Sequence, residues 1–137
     1  MFKVGFRIPL SALHCRLAQY LGLAIAQISL NAWRIFIGAE VLYGVLSKGS
    51  YRLTVKEFFH YYHLSKILKL RGIYNFLPRK PLLRLLYETP NSNGNWKNRY
   101  FFIQGDSWVC NLVEQHDMLV IDRTWGILPL SGRYLFA

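Results

Sequence analysis

The sequence predicts an α+β fold in which three helices are followed by a small antiparallel β-meander. Two observations carry this prediction. Three segments before Gly72 combine a capping side chain with helical spacing of apolar residues, and short extended runs separated by turn residues follow it. The chain has 137 residues, of which 53% are hydrophobic and 16% aromatic, enough for one domain with a substantial core.

The first predicted helix begins after Ser11, whose hydroxyl is a favourable N-cap. Leu13, Leu17 and Leu21 then recur every four residues and so share one face of a helix. Gly22 is placed to end it, because glycine adopts the left-handed conformation of a C-cap without strain. This segment therefore predicts a short amphipathic helix.

The second predicted helix is longer and more apolar, with Ser29 or Asn31 as its cap and Gly49 as its stop. The residues expected to face the core recur every three to four positions and are Leu30, Trp33, Ile37, Val41 and Val45, widened by Phe36 and Leu42. Gly38 and Gly44 each cost about 1 kcal/mol relative to alanine in a helix interior. We expect a largely buried helix in which these glycines mark close packing.

The third predicted helix covers residues 54–68, because Thr54 and Glu57 have the spacing of a capping box. One face is expected to be buried and consists of Val55, Phe58, Phe59 and Tyr62, with Lys56, His60 and His63 toward the other. His60 and His63 are three residues apart, but no third ligand lies nearby. We interpret them as surface histidines and expect no metal site.

The predicted meander consists of GIYNFLPR, LLRLLYE and WKNRYFFIQG, which are residues 72–79, 82–88 and 96–105. Proline-rich and Asn/Gly-rich turns separate these strands. In the last strand aromatic and basic side chains fall on both faces, so two interpretations stay open. The aromatics either fill the core or form a platform on which nucleic-acid bases stack, although the glycine spacing of an RNP1 motif is absent.

The charge balance indicates a polyanionic partner, since 17 Lys and Arg stand against 7 Asp and Glu for a net charge of +10. Ten of the basic residues lie in the middle third of the chain, against Glu57 and Glu88. We predict that these ten bind nucleic acid: Arg52, Lys56, Lys66, Lys69, Arg71, Arg79, Lys80, Arg84, Lys97 and Arg99. The alternative is a solvated basic face without a partner.

The cysteines and the apolar runs indicate in which cellular compartment the protein resides. Cys15 and Cys110 form no CxxC pair, so we expect two buried free thiols and neither a disulfide nor a zinc site. The N-terminal segment has the outline of a signal peptide, but Arg16 and its polar neighbours interrupt the apolar run that a signal peptide requires. The most apolar run, residues 32–46, is shorter than the roughly 20 residues that a bilayer requires and contains charges. We expect an intracellular protein, nuclear or cytoplasmic, without secretion or a membrane partner.

Several segments also occur in the order typical of one family. They are FRIPLSALHCRLAQYLGLAIAQISLNAWRIFIGAEVL, LTVKEFFHYYHLSK, GIYNFLPR, NSNGNWKNRYFFIQGDSW and RTWGILP. With them the chain resembles the gypsy-type transposon domain of plant proteins associated with mobile elements. The resemblance implies a domain over residues 1–108, truncated on its N-terminal side, and a loosely matching extension over residues 109–137. It implies a remnant-like copy and no established activity, catalytic residue or cofactor.

No catalytic motif stands out in the sequence. A protease Asp-Thr/Ser-Gly loop, a paired-aspartate turn, GxSxG, a P-loop and HExxH are all missing, and the seven carboxylates do not cluster. We therefore expect a non-enzymatic protein without a cofactor. The hypotheses are nucleic-acid binding, a gag-like structural module that associates with itself or with a partner protein, and a remnant without a selected function. An exposed, basic third helix would favour the first; apolar contacts on it would favour the second.

Overall fold

A computed structural model of the chain describes residues 10–87. These residues form the helices α1 (Ala12–Leu21), α2 (Leu30–Leu46) and α3 (Val55–Tyr61) and the strands β1 (Tyr62–Lys66) and β2 (Tyr74–Pro78). Short 3-10 turns occupy Ile25–Gln27 and Pro81–Leu83. The predicted α+β class, with helices followed by an antiparallel hairpin, is confirmed.

Helix α1 begins and ends where the sequence predicts. The Ser11 hydroxyl accepts a hydrogen bond from the His14 amide, and Gly22 ends the helix at φ 62°. Leu17 and Leu21 are buried as expected, and the thiol-bearing Cys15 is fully buried beside them. The second predicted thiol, Cys110, lies outside the described residues.

Helix α2 is capped by Ser29, whose hydroxyl accepts a hydrogen bond from the Ala32 amide at 3.1 Å. Its buried residues are Ala32, Trp33, Ile35, Phe36 and Ala39. The prediction of a largely buried helix is wrong for the C-terminal half, where Val41 and Val45 are 58% and 68% exposed. The reason is length: the 17 residues of α2 extend about 25 Å, whereas the five residues of β2, which packs on it, span about 17 Å.

Helix α3 has the predicted capping box, in which the Thr54 hydroxyl accepts from the Glu57 amide and the Glu57 carboxylate accepts from the Thr54 amide. The prediction of a helix over residues 54–68 is wrong, because α3 ends at Tyr61 and the chain continues as β1. Pairing with β2, in register from Tyr62↔Pro78 to Lys66↔Tyr74, replaces the helical hydrogen bonds. Long-range strand pairing thus overrides the local helical spacing.

The predicted meander is only partly correct. Its first strand is confirmed as β2, but the second, at residues 82–88, is wrong for the described residues 82–87, which form a 3-10 turn and an unpaired segment. Pro81 has no amide hydrogen to donate to a strand, which favours the turn. The third strand, residues 96–105, and the domain boundary after residue 108 lie outside the described residues.

The core is built around aromatic rings. The Phe58 ring centroid lies 4.8 Å from those of Phe36 and Phe76, and Phe58 stacks on Tyr62 at 5.0 Å. Offset and edge-to-face pairs of this kind contribute beyond their buried area. Phe58 therefore joins α2, α3 and both strands.

The segment between α1 and α2 fixes the hairpin against the helices. The Ser29 amide donates to the Tyr74 carbonyl at 2.9 Å, beside a parallel bridge between Ile28 and Tyr74. The side chain of Gln27 donates to the Gly72 carbonyl at 3.0 Å. Residues 27–29 thereby set the position of β2 and of the loop that precedes it. Over residues 10–87, no helix combines the length and the apolar character needed to span a bilayer.

Candidate nucleic-acid interface

Eight of the ten predicted binding residues lie within the described part of the chain, and the fold divides them into three groups. The tip cluster, at the closed end of the hairpin, consists of Lys66, Lys69 and Arg71. The base cluster, which follows β2 at the open end, consists of Arg79, Lys80 and Arg84. Arg52 and Lys56 form the third group at the start of α3, whereas Lys97 and Arg99 lie outside the described residues.

Main-chain hydrogen bonds hold the tip loop, residues 67–73, which carries two of the tip-cluster cations. The Ile67 amide donates to the Ile73 carbonyl at 3.1 Å and closes the loop. Inside it, the Leu70 amide donates to the Ile67 carbonyl at 3.0 Å, and Gly72 has a φ of 78° that other residues rarely adopt. Lys69 and Arg71 are thus held on a loop of defined backbone geometry.

The base cluster is anchored through Arg79. Its Nε donates to the Phe59 carbonyl at 2.6 Å, which holds the guanidinium beside α3. His63 lies close by on β1, and its pKa is lowered from the ordinary value by burial and then by the charge of Arg79. Lys80 and Arg84 of the same cluster are exposed.

The carboxylates of residues 10–87 are Glu40 and Glu57, and both serve the fold. A Glu40 oxygen lies 3.1 Å from His14 Nε2, linking α2 to α1. Glu57 caps α3 and accepts a hydrogen bond from the Tyr51 hydroxyl; this bond and that from the Thr54 amide lower the pKa of Glu57. Within residues 10–87 no lysine or arginine forms a salt bridge. The hairpin cations therefore face no neutralising carboxylate from this part of the chain.

One basic residue outside the predicted set shares a groove with a member of that set. Arg16 of α1 and Lys56 of α3 line the same open groove of about 350 Å³, together with Tyr20. The spacing of Arg16 and Tyr20, four residues apart, places them on one helical face and is the signal that could have found them. Which element lies opposite that face depends on how α1 packs on α3, which no local pattern reveals.

The two histidines of the predicted third helix belong to different elements. His60 lies on α3 and is exposed, whereas His63 lies on β1 and is partly buried. Among residues 10–87, no three His, Cys, Asp or Glu side chains come together in an arrangement that could hold a metal ion. His14, beside Glu40, packs edge-on against Trp33 with ring centroids 5.6 Å apart, which fits a role in joining α1 to α2.

Comparison with known proteins gave no relatives. No protein-family model matches the sequence, and no curated protein or solved structure is significantly similar to it. The resemblance to the plant gypsy-type transposon domain therefore stays a prediction.

Proposed function

We propose that this chain is a non-enzymatic domain, related to plant mobile elements, that binds nucleic acid through the two cation clusters of its hairpin. One observation carries the proposal: residues 10–87 hold eleven lysines and arginines against two glutamates, and neither glutamate forms a salt bridge with a lysine or an arginine of that range. Uncompensated positive charge of this density attracts polyanions. The relation to mobile elements is supported by the ordered sequence segments, and a nuclear or cytoplasmic location belongs to the same proposal.

The separation of the clusters supports a polymer as the partner. Arg79 lies five residues beyond Tyr74, the register partner of Lys66, so the tip and base clusters are about 17 Å apart along the hairpin. A small anion can contact one cluster at a time, whereas phosphates recur along the whole length of a nucleic-acid strand. The exposed side chains of Lys56 and His60 on α3 also favour this function over an assembly that covers α3.

The test is a titration of the full chain against labelled duplex DNA, duplex RNA and single strands over a salt series. The slope of log affinity against log salt counts displaced counterions at about 0.9 per phosphate contact on duplex DNA. A variant with Lys66, Lys69 and Arg71 changed to glutamine should flatten the slope by about two to three. The double variant Lys80→Gln and Arg84→Gln should flatten it by up to about two and keeps the structural bond of Arg79.

A matched control comes from the end of α2. Lys48→Asn removes an exposed charge far along the chain from the hairpin, and asparagine tolerates the φ of 53° at that position. We expect its salt slope to equal that of the unmodified chain. Absence of binding at physiological salt, or equal losses in control and cluster variants, would contradict the proposed function.

A gag-like module that associates with itself is a second candidate, favoured by the exposed end of α2. Val41, Val45 and Leu46 are 58%, 68% and 75% exposed, and the two valines are one helical turn apart. Sedimentation velocity over a concentration series tests it. Concentration-dependent association that Val41→Lys with Val45→Lys abolishes would support assembly, and a monomer at every concentration would exclude it. If the chain neither binds nucleic acid nor associates with itself, the hypothesis of a remnant without a selected function is the one that is left.

A further inference from the structure

Next to the cations of each cluster, the sequence carries one almost fully exposed leucine. Leu68, in the tip cluster, is 97% exposed, and Leu82, between Lys80 and Arg84 in the base cluster, is 95% exposed. A single exposed leucine is ordinary on a protein surface. The same combination of cations and a projecting leucine at both ends of one hairpin requires a physical explanation.

The structure of the tip loop fixes the exposure of Leu68. Leu68 occupies the second position of the turn that the Leu70 amide closes onto the Ile67 carbonyl. Behind the loop, the fully buried Gln27 donates to the Gly72 carbonyl. Main-chain bonds and a buried side chain thus both hold the backbone of this loop in the position that leaves Leu68 exposed.

We propose that Leu68 contacts the bases of a bound nucleic acid while the tip-cluster cations contact the phosphates on either side. This inference rests on the proposed function. Nucleic acid alternates anionic phosphates with apolar base faces, and leucine is among the side chains that proteins insert between base steps. A polyanion without bases, such as heparin, offers the same charges and no partner for the leucine.

An anionic membrane also combines charge with an apolar interior, but the hairpin surface between the clusters fits it poorly. Three of the four side chains on that face, His63, Ser65 and Asn75, are polar and partly exposed, and the fourth, Leu77, is 44% exposed. A bilayer engaging both leucines would lie against these polar groups, whereas a hydrated polymer leaves them in water. One leucine and one cluster of three cations, engaged alone, give a membrane only a small apolar anchor.

The experiment compares the full chain with Leu68→Ser and Leu68→Met. Affinities are measured for duplex DNA, its separated strand, heparin, and vesicles of phosphatidylserine and phosphatidylcholine. We expect Leu68→Ser to weaken DNA binding about tenfold at an unchanged salt slope, because apolar contact is lost while charge is kept. Leu68→Met should keep the affinity, and heparin binding should be the same for all three chains. Circular dichroism confirms that the folds are equal.

The outcomes distinguish failure of the base contact from failure of the proposed function. If the unmodified chain binds DNA and Leu68→Ser binds equally well, or loses heparin binding to the same extent, the base contact is overturned and the proposed function stands. If the unmodified chain binds no nucleic acid, both fail. Vesicle binding that depends on Leu68 while DNA binding does not would overturn the base contact in favour of a membrane. A larger loss on the separated strand supports contact with an unstacked base, and a larger loss on the duplex supports insertion between base pairs.

Discussion

The aromatic core and the two ends of the hairpin use their side chains in opposite ways. In the core, Phe58 is fully buried against the rings of four other aromatic residues, and Glu40 pairs with His14. At the hairpin ends, six cations face no carboxylate of residues 10–87, and two leucines project into solvent. The core side chains thus find their contacts within the fold, whereas the hairpin ends leave charged and apolar side chains exposed. The difference assigns stability to the core and makes the hairpin ends the surface for the proposed nucleic-acid contact.

Phe58→Ala tests the core and should have the most severe consequence for stability. Removing a fully buried phenylalanine leaves a cavity and should lower the free energy of unfolding by about 3–5 kcal/mol, enough to unfold many domains of this size. Urea unfolding followed by circular dichroism measures it. Leu68→Ser, which removes an exposed leucine, should change the same free energy by less than about 0.5 kcal/mol. Similar losses in both variants would contradict the division between core and tip.

Gln27 connects the two regions, and Gln27→Ala should disturb both. It removes the bonds to the Ala24 amide and the Gly72 carbonyl, and we expect a loss of about 1–3 kcal/mol in the free energy of unfolding. Amide hydrogen exchange in the tip loop should speed up as well. Asn31→Ala is the matched control. The buried Asn31 Oδ1 has no hydrogen-bond partner within residues 10–87, so removing this atom leaves no other group unpaired. Equal destabilisation by both variants would count against the link.

The glycines of α2 give a smaller, matched pair. Gly44 has open space where a Cβ would lie, so Gly44→Ala should raise the free energy of unfolding by about 0.5–1 kcal/mol through helix propensity. A Cβ at Gly38 would lie 2.6 Å from Leu86 Cδ1, so Gly38→Ala requires Leu86 to move and should gain less. Thermal unfolding of the two variants checks the order. A greater gain at Gly38 would show that Leu86 does not pack there.

The features of the fold that depend on neighbouring residues could be predicted from the sequence. Those that depend on pairing between distant residues could not. The caps at Ser11, Ser29 and Thr54 were predictable because each acts within one helical turn. The strand at Tyr62–Lys66 was not, because its register partner lies beyond a seven-residue loop. Close packing at Gly38 was anticipated correctly, but the open surroundings of Gly44 show that a helical glycine alone does not establish it.

The candidate site shows the same limit. The composition and position of the basic residues were readable from the sequence, but their division into a tip and a base cluster depends on the hairpin register. Arg16 was missed because the groove it shares with Lys56 exists only once α1 packs on α3. The projection of Leu68 could not be predicted, because the sequence around it, KILKLRG, has apolar residues at positions 67, 68 and 70. A short apolar run of this kind also suits a buried helix or strand.

The mildest prediction concerns the pH dependence of the hairpin through His63. Burial, and then the charge of Arg79, lowers its pKa in the folded chain. As pH falls through the unfolded-state pKa of about 6.5, the unfolded state takes up a proton before the folded state does. The free energy of unfolding therefore decreases until the pH has passed the lower folded-state pKa. Arg79→Gln should raise the folded pKa and reduce this decrease, although burial, the larger cause, remains.

Bound nucleic acid should raise the pKa of His63, as Arg79→Gln should. A phosphate held beside Arg79 offsets the guanidinium charge, so the pKa of His63 should rise when DNA is added. Proton NMR titration of the His63 ring, with and without duplex DNA, measures the midpoint directly. In Arg79→Gln the added DNA should shift the midpoint less, because the anchoring cation is gone. An unchanged midpoint on saturation of the unmodified chain would place the phosphates away from the base cluster and restrict binding to the tip.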